Sequence, residues 1–165
     1  MRFKIGDKAV YPAHGVAEIT GVEAREVGGH KMDCYVLNIL SSGATVMVPV
    51  SASGRAGMRV LSSDQEIEEV FSLMSNPIRS TQKTWNKRYR EFHDKLKTGS
   101  VSEIAEVFRD LWNLQTTKDL SYGEKQMLEK SRNMVVSEIS AARNQTEKQV
   151  TAHLQSIMTT TEADS

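Results

Sequence analysis

The sequence predicts an α+β protein: a small N-terminal antiparallel β-barrel of about five strands, followed by a C-terminal bundle of about five α-helices. Three observations carry this expectation. Residues 1–60 consist of short Val- and Ile-rich runs separated by glycines, the pattern of strands joined by tight turns. After residue 61 the apolar spacing changes to the helical period. Four Ser/Thr-x-x-Glu/Gln tetrads then mark successive helix starts.

In chain order the strand candidates are "KAVYP", "GVAEITGVEAREV", "KMDCYVLNIL", "ATVMVPV" and "GMRVL". Gly28-Gly29 and Ser42-Gly43 lie between runs and predict hairpin turns. Pro12 and Gly15 in "PAHG" frame another turn. Strict alternation along the second run would place Ile19, Gly21, Glu23, Arg25 and Val27 on one face. "DCYVLNIL" is apolar on both faces and reads as a central strand. Five short strands in about sixty residues suit a Tudor- or SH3-like barrel, expected over 1–60.

The helical part is expected over 61–165. Ser63-Asp64-Gln65-Glu66, Ser100-Val101-Ser102-Glu103, Ser121-Tyr122-Gly123-Glu124 and Thr146-Glu147-Lys148-Gln149 all match the capping box. In it the hydroxyl accepts a first-turn N–H while the Glu or Gln accepts the cap residue's own N–H. Pro77 stops the first helix, and Gly99 suits a helix C-terminus. Helices are therefore predicted near 64–75, 82–97, 101–116, 122–143 and 147–158, with a frayed end over 160–165.

Charge is balanced overall, at 21 Lys/Arg against 21 Asp/Glu, but unevenly placed. Residues 61–76 hold four acids and no base, whereas 77–99 hold seven bases and two acids. Such a chain would meet nucleic acid locally, through one segment, and not by bulk attraction. The same segment could equally be a solvated helix face. Nothing near the N-terminus resembles a signal peptide, and no apolar run approaches the ~18–20 residues that cross a bilayer. The single cysteine, Cys34, fits a reducing cytoplasm and a small buried hydrophobe. His14, His30, His93 and His153 have no ligand-like spacing with it. No phosphate-cradling glycine loop or nucleophile elbow occurs. The reading is a non-enzyme without metal or cofactor.

The stretch "STQKTWNKRYREF", residues 80–92, surrounds Trp85 with cations. On a helix Trp85, Tyr89, Phe92 and Leu96 form one stripe, so Tyr89, Phe92 and Leu96 are expected in the core. Trp85 opens that stripe. Residue pattern alone leaves two readings: the first member of the core, or an exposed wedge of the kind that enters a minor groove.

Several motifs in order resemble the CarD/CdnL transcription regulators of bacteria: "FKIGDKAVYPAHGV", "TVMVP", "TWNKRYRE", "KTGSVSEIAEVFRDL" and "DLSYGEKQML". The barrel is also similar to the polymerase-binding module of transcription-repair coupling factors. The resemblance implies that the barrel docks on the RNA polymerase β subunit by strand addition, through Arg25, Met47 and Pro49. It implies that the helical part contacts promoter DNA at the upstream edge of the bubble, in the minor groove and largely without regard to sequence. Trp85 would be the wedge, with Lys87, Arg88 and Arg90 on the phosphates, and the complex would lie in the cytoplasm on the nucleoid. Relatives often carry Arg where Lys87 stands, and some carry Arg in place of Met47. Neutral net charge leaves an alternative, an adaptor whose helical part binds another protein.

Overall fold

The computed structural model describes residues 2–75 and 85–163; the side chains of residues 27, 85–87 and 160–163 lie outside the described set. The chain forms two compact units, Met1–Leu61 and Ser62–Ser165.

The first unit is a five-stranded antiparallel sheet: β1 (Lys8–Tyr11), β2 (Gly15–Val27), β3 (His30–Ile39), β4 (Thr45–Pro49) and β5 (Arg59–Val60). The strand order is β4-β3-β2-β1-β5. Gly28 and Gly29, at φ 59° and 82°, make the two-residue turn between β2 and β3. Both positions need positive φ, which glycine adopts without strain. Phe3, Ile19, Tyr35, Leu37, Ile39, Val48 and Met58 are the larger members of the core on one side of the sheet. The Tyr35 hydroxyl accepts the Phe3 N–H at 3.2 Å and so satisfies its polar end inside that core.

Two expectations change here. The expected barrel is an open sheet, because no ladder joins the end strands β4 and β5 among the described residues. Closure needs a continuous staggered ladder, and β5 supplies two residues, paired with Ala9 and Val10. The second change is in β2. Its pairing with β3 shifts between Ile19 and Gly21, leaving Thr20 as an extra residue. Such a bulge reverses the inside-outside order beyond it. Val22, opposite Tyr35, therefore joins Ile19 on the core side, and Gly21, Glu23 and Arg25 take the other face.

The second unit contains α1 (Asp64–Met74), α2 (Trp85–Lys97), α3 (Val101–Gln115), α4 (Tyr122–Arg143) and α5 (Glu147–Ala163). Ser63 and Ser121 form complete capping boxes with Glu66 and Glu124, and Thr146 forms one with Gln149. The Ser100 hydroxyl accepts the Glu103 N–H at 3.4 Å, but the Ser100 N–H donates to the Thr98 hydroxyl instead of the Glu103 side chain. Helix α4 ends at Asn144 in the left-handed conformation, a use of asparagine in place of the usual glycine. Pro77, the expected stop for α1, lies outside the described residues. Helix α5 runs on to Ala163, past the expected end at 158; residues 159–163 contain no Gly or Pro to interrupt it. Phe92 and Leu96 of α2, Phe108 and Leu111 of α3, Ile139 of α4 and Leu154 of α5 meet in one core.

Candidate nucleic-acid interface and docking face

Helix α2 begins at Trp85 and carries the basic stretch on its first turns. The side chains of Trp85 and Lys87 lie outside the described residues. Among those described, the stripe expected in the core divides. Phe92 and Leu96 are buried, whereas Tyr89 is 41% exposed and stacks on His93 with centroids 6.0 Å apart. The bundle thus covers Phe92 and Leu96 and leaves Tyr89 at the surface. Arg90 is exposed. Lys95 is bound to Glu106 of α3 at 2.8 Å.

Arg88 faces inward. Its side chain is 22% exposed, and its guanidinium lies 3.7 Å from Oε2 of Glu124 on α4. Glu124 is fully buried. Its Oε1 accepts the Ser121 N–H at 2.9 Å and pairs with the Lys118 ammonium at 3.2 Å. Burial alone would raise the Glu124 pKa, but these hydrogen bonds and the Lys118 charge outweigh it and hold the carboxyl below its ordinary value. In the sequence Glu124 is legible only as a cap residue; the cations around it come from α2 and from the α3–α4 connection, which no local pattern brings together.

On the sheet, the face away from the core collects the three residues that the resemblance singled out. Cross-strand partners share a face, and the register pairs Arg25 with Met32, Glu23 with Cys34, Cys34 with Pro49, Gly21 with Val36, and Val36 with Met47. Arg25, Met47 and Pro49 therefore lie on one face of three neighbouring strands, whose lateral width is roughly 10 Å, with Met47 and Pro49 two to four residues further along the ladder than Arg25. Met47 and Pro49 are half-buried and belong to the end strand β4, while Val46 and Val48 point into the core side. Arg25 is exposed and paired with Glu23 at 2.8 Å. Cys34 is buried on this same outer face. Among the described residues, no group of three or more His, Cys, Asp or Glu side chains could hold a metal ion, and no helix is long and apolar enough to cross a membrane.

Comparison with known proteins agrees with this two-part arrangement. Residues 3–62 match the family model described as "CarD-like/TRCF RID domain", and residues 69–155 match "CarD, C-terminal domain". The chain belongs to the CarD family. Of its relatives, "Putative transcription factor YdeB" of Bacillus subtilis (strain 168) is 33% identical over 148 residues, covering 90% of this chain and 97% of that protein. A solved structure of "CdnLNt from Myxoccoccus xanthus" is 45% identical over 39% of this chain and 90% of its own, with a TM-score of 0.33. This protein is a CarD-like transcription regulator. Both CarD family models are present in order within it, the first on the sheet and the second on the helices.

Proposed function

We propose that this protein docks on the RNA polymerase β subunit and stabilises the promoter open complex. The sheet unit docks through Arg25, Met47 and Pro49, with the β4 edge available to extend a partner's sheet. The helical unit contacts DNA at the upstream edge of the bubble. Trp85 enters the minor groove as a wedge, and the basic turns of α2 hold it to the backbone through Lys87 and Arg90, while Arg88 is turned to Glu124 of α4. The observation that carries this reading is a set of exposed basic and aromatic side chains near the start of α2: Arg90 and the stacked Tyr89 and His93 stand outside the bundle one to two turns from Trp85. A ligand of this kind acts by binding the open state better than the closed one, and it shifts the equilibrium only by that difference.

The test is the lifetime of open complexes formed by purified polymerase on a slow-melting promoter. Aromatic–base stacking contributes about 1–3 kcal/mol per base. Trp85→Ala is therefore expected to shorten the lifetime roughly fivefold or more, with the circular dichroism spectrum and polymerase affinity unchanged. An unchanged lifetime rejects the wedge.

A further inference from the structure

Glu124 has a charge that its capping role does not require. A capping box works with Gln as well as Glu, and this chain does so at α5, where the exposed Gln149 accepts the Thr146 N–H at 3.0 Å. The corresponding residue of α1, Glu66, is exposed. At α4 alone among these three complete boxes the acceptor is a fully buried carboxylate. Burying a carboxylate is unfavourable unless cations and hydrogen bonds compensate, and two cations converge on it. Lys118 approaches Oε1 at 3.2 Å and Arg88 approaches Oε2 at 3.7 Å. Oε2 is buried and accepts no hydrogen bond among the described residues, and the Arg88 guanidinium faces it at 3.7 Å.

We infer that Glu124 is a positioning residue for the DNA-contacting turn of α2: its buried carboxylate holds Arg88 from within and thereby fixes how Lys87, Arg90 and Trp85 are presented. This deepens the DNA-contacting reading above and rests on it. Arg88 acts from inside the bundle, as a brace between α2 and α4, and not as a phosphate contact. Arginine suits that task, because its planar guanidinium keeps its charge when partly buried.

The experiment measures binding of the full chain to a promoter duplex with a preformed bubble, by fluorescence anisotropy over a series of salt concentrations. The variants are Glu124→Gln, Arg88→Gln and the pair together. Glu124→Gln keeps an acceptor for the Ser121 N–H but removes a negative charge. Long-range electrostatics alone would then tighten binding, whereas loss of the brace is expected to weaken it roughly threefold or more. Arg88→Gln is expected to weaken binding with the wild-type salt slope, and to add nothing further once Glu124 is Gln. Equal or tighter binding by Glu124→Gln overturns the proposal. So does a salt slope reduced by about 0.9 in Arg88→Gln, the signature of a lost phosphate contact. Should Glu124→Gln fail to fold, the Arg88→Gln slope decides alone. If the wild-type chain shows no salt-dependent binding, the DNA-contacting reading itself fails, a result distinct from either of these.

Discussion

Two acids on α4 are buried, and each accepts the N–H of a residue just ahead of a helix. Glu124 takes that of Ser121; Glu138 takes the Ser62 N–H at 2.8 Å and the Ser62 hydroxyl as well. The second arrangement ties the start of the helical unit to the C-terminal part of α4. Removing the carboxylate leaves a buried N–H and hydroxyl without their acceptor, a loss of about 2–4 kcal/mol. Glu138→Ala should lower the urea midpoint of the full chain accordingly, while Glu138→Gln, which retains an acceptor, should lose less than half as much. If Glu138→Ala is as stable as wild type, the carboxylate does not hold Ser62. This pairing was not legible in the sequence, because its members are 76 residues apart and neither lies in a pattern that implies the other. The cap at Ser63, three residues from its partner, was legible for the opposite reason.

At the scale of elements, most starts followed from local chemistry, and the departures have identifiable causes. Helix starts at Asp64, Val101, Tyr122 and Glu147 stand where the hydroxyl tetrads place them, because a cap is satisfied within four residues. The bulge at Thr20 was hidden, since an inserted residue has no compositional mark in a run of small and β-branched side chains. The spacing of Tyr89 matches that of Phe92 and Leu96 and predicts a core position, but periodicity gives the face of a helix and not how far its neighbours extend along it. The box at α3 is a further departure, and it gives a prediction. At α1 the Glu66 carboxylate accepts the Ser63 N–H at 3.1 Å, so Glu66→Ala should destabilise by about 0.5–1.5 kcal/mol. At α3 the Thr98 hydroxyl takes that part at 3.2 Å. Thr98→Ala should therefore show a loss of that size, and Glu103→Ala a smaller one. Thermal unfolding of the three variants checks the order; equal losses for Glu66→Ala and Glu103→Ala would contradict it.

For the whole molecule, the proposed division of labour has a quantitative consequence. A DNA contact made by a few cations and one tryptophan is weak in isolation and strongly dependent on salt. Docking the sheet unit on polymerase turns that contact into an intramolecular one, at an effective concentration that reaches the millimolar range for a short tether. The two surfaces should then be separable by mutation yet jointly necessary for function. Arg25 is exposed and shares its face with Met47 and Pro49 through the strand register, so reversing its charge disturbs that face without entering the core. Arg25→Glu is expected to weaken binding to an isolated lobe of the polymerase β subunit roughly tenfold or more, because a like charge placed in a complementary interface costs several kcal/mol. Its affinity for a bubble-containing duplex, measured on the full chain without polymerase, should stay at the wild-type value. Its effect on open-complex lifetime should nevertheless disappear at concentrations where wild type saturates, and return when the protein is raised about as far as the lobe affinity fell. Trp85→Ala should behave in the opposite way, with lobe affinity intact and a shortened lifetime that no excess of protein restores. If Arg25→Glu binds the lobe as wild type does, the docking face is elsewhere; if its DNA affinity falls in parallel, the two surfaces are not independent and the tethering account is wrong.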